Sequence, residues 1–414
     1  MKPSLSRRAV LRSSLAAGAG IAVPGAARAQ QPVIRIGVLT DMGGAYAANT
    51  GPGSVLATQL AIDDFARTKP GFAVELLSAD LQLKPDVALS IAGDWFSNKG
   101  VDLLTDVPLS SAAFGIGEMA KQRDKLAIFT GAASADVTGA RCGPNHLHWA
   151  YDTWSMPHAV VQSLVAEGGN TWFFITADYA FGHSLERDSA SFVTAGGGKV
   201  LGAARHPFPG TTDFSAYIVQ ARASGAKVIG LANGGSDAVN CIKQAAEFGI
   251  RKGGQTVAGM LLLINDVHGM GLEAAQGVAL TEPFYWDMND GTRAFSKRFG
   301  ARMTTGAMPN SAQAGQYSAV AHYLKTVAAM GVDRAKASGR AVIARMCEIP
   351  IEDPIYGKSA IRADGRVIHD MHLFEVKTPA ESKGPWDYYK LRHTVPAAQA
   401  FRPLDQGKCP LVGA

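Results

Sequence analysis

The sequence lacks the features that mark membrane-spanning and nucleic-acid-binding proteins. No run of about 20 apolar residues, the length that crosses a bilayer, occurs in the 414 residues. No block rich in Lys or Arg follows residue 30, so no basic surface for nucleic acid is expected. Charged residues make up 18% of the chain and hydrophobic residues 47%, a composition typical of globular domains.

Cysteine is scarce, with four residues: Cys142, Cys241, Cys347 and Cys409. None belongs to a C-x-x-C pair, so neither a metal site nor a redox dithiol is indicated. In an oxidising compartment one or two disulfides could form, but spacing alone does not choose their pairing, and free buried thiols are an equal alternative. Cys409 lies near the C-terminus and is a candidate for tying down the tail.

Enzyme signatures are also missing. The chain contains no G-x-x-x-x-G-K-[ST] phosphate loop, no G-x-G-x-x-G fingerprint, no H-E-x-x-H pair and no G-x-S-x-G elbow. The closest histidine pairs, His146 with His148 and His369 with His372, have no metal-binding frame around them. We therefore expect no catalytic residue, no metal, no cofactor and no enzymatic activity.

The first 29 residues contain the three parts of a cleavable export signal. A basic segment with adjacent Arg7 and Arg8 precedes a weakly apolar run over 13–23, and the small-residue site 27–29 follows. The arginine pair resembles a twin-arginine leader, with an ordinary secretory signal as the alternative. We expect the protein to be exported, most simply to a bacterial periplasm.

Removal of this segment changes the charge of the protein. The whole chain has 40 basic and 35 acidic residues, and residues 1–29 hold five of the basic ones and no acidic one. The remainder therefore has 35 of each and no net charge. A balanced chain has no overall field that would attract nucleic acid or an anionic membrane.

Strand-like and helix-like segments alternate along the rest of the chain. Short β-branched or aromatic runs, such as 33–39 and 171–175, are separated by helical periodicity, as in 54–67 and 312–330. This alternation is typical of parallel sheets covered by helices. The chain is too long for one core, so two α/β lobes are predicted. Ligands bind such sheets at the carboxyl ends of strands, so the loops after strands are the candidate site.

Four elements, in order, carry a family resemblance. They are the strand and Gly-rich loop at 36–46, the sequence Asp178-Tyr179-Ala180-Phe181-Gly182, the segment 208–218, and the turn and strand at 361–376. Their order and spacing across about residues 33–377 resemble the branched-chain amino acid (Leu/Ile/Val-binding) type of ABC-transporter substrate-binding protein.

The resemblance implies two Rossmann-like lobes with parallel sheets and a three-crossover hinge, the type I periplasmic binding protein fold. The expected N-terminal lobe comprises 30–151 plus 285–355, and the C-terminal lobe 152–284 plus 356–414. It further implies a monomer that closes around a small-molecule ligand and passes it to an ABC permease in the inner membrane. The expected hinge segments are 150–153, 281–286 and 354–357.

The same resemblance suggests how a ligand carboxylate is held. Ser111 is similar to the family's serine contact, and Ala132 and Ser134 to its backbone and hydroxyl contacts. Hydroxyls and free N–H groups at strand ends suit an oxyanion. Helix capping is the alternative role for both serines.

An amino acid ligand would also need acids for its ammonium group. Asp152 could be one, but the second should follow the strand at 257–263, where 259–263 is Gly-Met-Leu-Leu-Leu. An apolar run cannot pair a buried ammonium group. The remaining candidates in the expected cleft loops are Tyr46, Trp154, Phe181, Asn233, Tyr285 and Trp286.

These side chains favour an aromatic or other hydrophobic organic acid. Rings that only close the lobe interface are the alternative interpretation. Three other functions stay open at this point: an amino acid-binding member of the class, a ligand sensor for a membrane receptor, and a periplasmic cofactor-dependent oxidoreductase.

Overall fold

Two separate parallel sheets dominate the structure, a computed structural model that describes residues 31–412. The predicted export signal lies outside the described residues. Each parallel sheet is covered by helices, so the two α/β lobes predicted from the alternation are confirmed. Between residues 31 and 412, no helix is both long and apolar enough to cross a bilayer.

The first lobe contains a five-stranded sheet in the order β2-β1-β3-β4-β5, with every pair parallel. Its elements are β1 (Val33–Thr40), α1 (Gly51–Ala66), β2 (Ala73–Asp80), α2 (Pro85–Asp94), β3 (Leu103–Asp106), α3 (Ser110–Gln122), β4 (Leu126–Phe129) and β5 (His146–His148). A π-helical turn at Trp95–Lys99 extends α2, and a 3-10 turn at Ala135–Thr138 precedes β5. β3 and β4 are buried along their whole length, as expected for strands covered on both faces.

The second lobe contains a four-stranded parallel sheet in the order β7-β6-β8-β9. Its elements are α4 (Ser155–Ala166), β6 (Thr171–Ala177), α5 (Ala180–Ala195), β7 (Lys199–His206), α6 (Ser215–Ala223), β8 (Val228–Ala232), α7 (Ser236–Glu247), β9 (Thr256–Gly259), α8 (Ile264–Met270) and α9 (Leu272–Ala275). The order reverses at β6, which lies between β7 and β8.

The last third of the chain adds helices and two small antiparallel sheets, β10-β14-β15 and β11-β12-β13. Its elements are β10 (Ala279–Glu282), α10 (Asp290–Arg302), α11 (Ser311–Met330), α12 (Val332–Ala337), α13 (Gly339–Glu348), β11 (Ile351–Asp353), β12 (Gly357–Ile361), β13 (Val367–Ile368), β14 (Met371–Val376), β15 (Tyr389–Val395) and α14 (Ala397–Ala400). β10 therefore does not extend a parallel sheet, because it pairs antiparallel with β14.

The last third of the chain contributes to the hydrophobic cores of both lobes. Phe284, Phe295 and Phe299 pack in one core with β1, whereas Phe374 and Tyr389 pack in another with β8. The chain thus returns to the first lobe after β10 and to the second lobe with β14. The residue limits predicted for the two lobes stay predictions.

One disulfide, Cys142–Cys409, ties the C-terminal tail to the segment before β5. This is the attachment that the position of Cys409 suggested. Cys241 is free and buried, and Cys347 is free and exposed.

Candidate functional site

A cavity lies between the two lobes, at the carboxyl ends of the strands of both parallel sheets. Its empty volume, counted out to the solvent at its opening, is about 340 Å³. The lining residues are Tyr46, Asn49, Thr50, Pro108, Ser110, Gly131, Ala133, Tyr151, Tyr179, Phe181, Gly235 and Leu261. These residues follow strands of both sheets. This geometry agrees with the expectation that the loops at the strand ends of the two lobes enclose the site.

Aromatic rings form one wall of the cavity. The ring of Tyr46 meets that of Phe181 edge-on at 6.5 Å between centroids, and Tyr179 lies 5.8 Å from the same ring. Phe208 stacks on Tyr179 at 4.4 Å and on Tyr46 at 5.3 Å. Burial raises the pKa of Tyr46, Tyr151 and Tyr179 above that of a free phenol. These phenols are therefore neutral at pH 7 and can donate hydrogen bonds.

The polar part of the wall comes from the first lobe. Ser110 is the first residue of α3, and its Oγ accepts a hydrogen bond from Ser134 N at 3.1 Å. The first N–H groups of a helix have no partner within the helix, so this end of α3 is the positive end of its dipole. Asn49 and Thr50 complete the polar surface, and none of the lining residues carries a charged side chain.

Buried carboxyl groups lie just behind this surface. Asn49 Nδ2 donates to both carboxylate oxygens of Asp266, at 3.0 and 3.2 Å. Burial raises the pKa of Asp266 to about 6 and that of Asp106 to about 6. Asp266 is not among the residues predicted from the sequence, since an acid was expected directly after β9. The acid is on α8 instead, beyond the apolar run.

Two of the predicted site residues, Tyr46 and Phe181, line the cavity. Four others, Ser111, Ala132, Ser134 and Asp152, each lie one position in sequence from a lining residue. Ser111 follows the lining residue Ser110, and Ala132 lies between the lining residues Gly131 and Ala133.

Ser134 is next to Ala133, and its hydroxyl is already used. It accepts from Asp136 N at 3.3 Å, as the N-cap of the 3-10 turn, and lies 2.7 Å from Ser184 Oγ. The hydrogen bonds of the Ser134 hydroxyl are therefore those of a capping residue, which was the alternative role for this serine.

Asp152 is buried but engaged elsewhere. It caps α4 by accepting from Ser155 N at 2.7 Å, and Arg366 Nε lies 3.5 Å from its carboxylate. Burial alone would raise the pKa of Asp152, but the charge of Arg366 and further contacts outweigh it and lower the pKa. Its neighbour Tyr151, which the sequence analysis did not select, lines the cavity.

The remaining predicted residues lie outside the cavity lining. Trp154 packs against His158 and Phe192, with ring centroids 4.4 and 5.1 Å away. Asn233 Nδ2 contacts His206 Nε2 at 3.3 Å.

Tyr285 and Trp286 lie in the loop after β10 and outside the cavity lining. Tyr285 Oη and Trp286 Nε1 both donate to the carbonyl oxygen of Trp386, at 3.1 and 2.7 Å. They follow β10, which pairs with β14, so the rule for parallel strand ends does not apply to them. Their predicted ligand contacts, like those of the other site residues, stay predictions.

Direct contacts join the lobes around the cavity. Tyr46 Oη and Tyr179 Oη are 2.6 Å apart, and Ser236 N donates to Ala45 O at 3.0 Å. Asn310 Nδ2 donates to Asn265 Oδ1 at 2.6 Å. The two lobes are therefore in direct contact beside the cavity. Within residues 31–412 no three His, Cys, Asp or Glu side chains converge as a metal site requires.

Two parallel-sheet lobes closed over a central cavity define a bilobed ligand-binding protein. The chain matches the family described as periplasmic binding protein over residues 33–385 and belongs to it. The family predicted from the sequence is confirmed, and the protein is a periplasmic binding protein of the ABC-transporter type.

Solved structures agree with this assignment. A periplasmic binding protein from Burkholderia mallei is 42% identical, with a TM-score of 0.87 over 92% of this chain and 99% of its own. A branched chain amino acid ABC transporter periplasmic ligand-binding protein from Burkholderia xenovorans LB400 is 42% identical, with a TM-score of 0.79 over 91% of this chain and 99% of its own.

A more distant solute binding protein from Rhodopseudomonas palustris, in complex with benzoate, is 19% identical, with a TM-score of 0.75 over 88% of this chain and 97% of its own. At that identity the likeness concerns the fold alone. No curated protein matches the sequence.

Proposed function

We propose that this protein captures a small aromatic or otherwise hydrophobic carboxylate between its lobes and delivers it to an ABC permease of the inner membrane. The observation that carries the proposal is the lining of the cavity, where aromatic rings face a neutral polar surface at the start of α3. A flat apolar ligand gains contact area from such rings. Its carboxylate needs donors rather than a buried counter-charge.

The start of α3 supplies these donors. Ser110 Oγ accepts from Ser134 N, which leaves its O–H free to donate to a ligand oxygen. The unpaired N–H groups in the first turn of α3 favour the same anion. The neutral phenol of Tyr151 adds a third donor from the segment after β5.

The lining is less suited to a free amino acid. Leu261 occupies the wall after β9, and Asp152 is paired with Arg366. A buried ammonium group without a partner is strongly unfavourable. One observation supports an amino acid ligand as the second candidate: the carboxyl group of Asp266 lies behind Asn49, where an ammonium group that displaced the amide would reach it.

The wider proposal follows the family. The protein acts in the periplasm as a monomer, closes by hinge motion and does not convert its ligand. The proposed lobes are 30–151 with 285–355 and 152–284 with 356–414. The packing of Phe295 with the first core, and of Phe374 with a second-lobe core, supports these limits.

Calorimetric titration of unfolded and refolded protein, freed of any bound solute, tests the proposal. We expect benzoate and 4-hydroxybenzoate to bind, and benzamide, which has the ring without the charge, to bind far more weakly. Leucine and valine report on the second candidate. Tight binding of these amino acids with no binding of aromatic acids would overturn the preference, and a change in ligand mass after incubation would overturn the absence of turnover.

A further inference from the structure

We propose that the C-terminal strap, residues 396–412, positions two walls of the ligand cavity. Arg402 and Phe401 are its positioning residues, and the Cys142–Cys409 disulfide fastens it. The two walls are the segment 131–139 after β4 and the segment 149–153 after β5. Only the affinity measurement described below rests on the proposed function. The effect of the strap on the two walls can be measured by hydrogen exchange in the protein without ligand.

The first contact of the strap is with the segment after β4. Arg402 Nη2 donates to the carbonyl oxygen of Ala135 at 2.8 Å, and its guanidinium lies 3.9 Å from the carboxylate of Asp136. A Cβ on Gly139 would lie 2.3 Å from Arg402 Nη2, so the strap approaches this backbone closely. Ala133, two residues before Ala135, lines the cavity.

The second contact is with the segment after β5. The ring of Phe401 lies under the guanidinium of Arg366, with the Arg366 Cζ 4.4 Å from the ring centroid. Arg366, itself only 1% exposed, donates from Nη1 to Tyr151 O at 3.1 Å and pairs with Asp152. Tyr151 is a lining residue, so Phe401 supports the arginine that holds it.

The strap backbone is held as well. Arg362 Nη1 donates to the carbonyl oxygen of Arg402 at 2.8 Å, and the same guanidinium pairs with Asp364. The disulfide joins positions 267 residues apart in sequence and fixes the end of the strap to the segment after the 3-10 turn. The strap is thus anchored on both sides of Arg402.

The wall that the strap holds also meets the other lobe. Arg187, on α5, pairs with Asp136 at 2.9 Å and with Asp188 at 2.9 Å. Ser134 Oγ lies 2.7 Å from Ser184 Oγ of the same helix. A displacement of the 3-10 turn would therefore weaken this contact between the lobes.

Loosening of the strap should lower the fraction of molecules with a binding-competent closed cavity. The apparent affinity falls in proportion to that fraction. The disulfide keeps the strap fastened in an oxidising compartment. Reduction should release it.

The test uses the full chain without its export signal and four variants. Cys142→Ser/Cys409→Ser opens the disulfide, Arg402→Met removes the contacts to the 3-10 turn, and Arg402→Lys restores a donor and the charge. Cys347→Ser, at the exposed free cysteine, is the matched control.

The first measurement is hydrogen exchange without ligand. Peptides that cover 131–139 and 149–153 should exchange faster in the double serine variant and in Arg402→Met than in the parent protein. In Cys347→Ser they should exchange at the same rate as in the parent. The second is benzoate titration well below each variant's unfolding midpoint. Affinity should fall at least about fivefold, the lower end of typical coupling between sites, and Arg402→Lys should recover most of it.

Unchanged exchange in both segments, with loss of the disulfide verified by mass, would overturn the proposal, since the strap would then stabilise only itself. Faster exchange combined with unchanged affinity for a ligand that does bind would also overturn it. If the parent binds no aromatic acid, the proposed function is wrong. The exchange measurement still tests whether the strap positions the two walls.

Discussion

Tyr46 Oη and Tyr179 Oη form a 2.6 Å hydrogen bond that joins the two lobes beside the cavity. Tyr46 follows β1 and Tyr179 follows β6, so each phenol lies at the carboxyl edge of its own sheet. Phe208 stacks on both rings and holds them together. The contribution of this contact to ligand affinity can be measured.

Removal of one hydroxyl should weaken ligand binding without unfolding the protein. A neutral hydrogen bond contributes about 0.5–1.5 kcal/mol, so Tyr179→Phe should lower affinity by about 2- to 10-fold in calorimetric titration. Tyr217→Phe, on α6 outside the cavity lining, is the control and should bind like the parent. Equal affinity for the parent and Tyr179→Phe would show that the bond is not needed for closure.

A methyl group at Gly235 should prevent closure. A Cβ there would lie 2.2 Å from Ala45 O, across the cleft, and the backbone has φ of +61°. We expect Gly235→Ala to fold but to lose at least about fivefold in affinity, because overpacking costs about 1–3 kcal/mol.

The adjacent glycine is a matched control for this substitution. At Gly234 the nearest atoms to an added Cβ are 3.4 Å away, which is ordinary contact. Gly234→Ala should therefore bind like the parent. Full affinity in Gly235→Ala would mean that the binding-competent form does not bring Ala45 against this loop.

Neutralising Asp152 should destabilise the fold rather than change ligand selectivity. Asp152→Asn keeps the cap of α4 but leaves the buried guanidinium of Arg366 without its counter-ion. Breaking a buried pair in this way costs about 3–5 kcal/mol. Urea unfolding should show this loss, and Asp152→Asn/Arg366→Met should regain much of it. A stable single variant with altered selectivity would favour the ligand-contact role that the sequence suggested.

Glu282 should make the fold less stable as pH rises. It accepts hydrogen bonds from Ser311 Oγ and Tyr389 Oη, and burial raises its pKa to about 8. Between its ordinary pKa and this value, the unfolded chain releases a proton that the folded protein keeps. The free energy of unfolding then falls by up to about 1.4 kcal/mol per pH unit.

Glu282→Gln removes this titration. Urea unfolding at about pH 5 and about pH 8 should therefore give a smaller loss of stability for the variant than for the parent. The advantage of the variant should grow as pH increases. Parallel pH profiles would show that Glu282 titrates normally.

Local patterns predicted a large part of this architecture. The β-branched run at 33–39 and the periodic segment at 312–330 appear as β1 and α11, since runs and periodicity report on short-range structure. The rule that ligands bind at parallel strand ends selected the loops that contain Tyr46 and Phe181. Both residues line the cavity.

The choice of side chain within those loops was less accurate. Ser110 and Tyr151 line the cavity, whereas their neighbours Ser111 and Asp152 were the predicted ligand contacts. Ser110 and Ser111 are the first two residues of α3, whereas Tyr151 and Asp152 lie in the segment after β5, and in both settings adjacent side chains point in different directions. An error of one position therefore exchanges a residue that faces the cavity for one that faces a core or a neighbouring segment.

By itself, the sequence determined the alternation of strands and helices, the two-lobed class and the strand-end loops, because these depend on local periodicity and on chain length. Tertiary structure decided which side chains those loops turn inward, and it paired Asp152 with Arg366 and Cys142 with Cys409. It also paired β10 antiparallel with β14, which moved Tyr285 and Trp286 away from the cavity lining. Each of these outcomes joins residues about 90 to 270 positions apart, and only the packing of the whole chain brings such residues together.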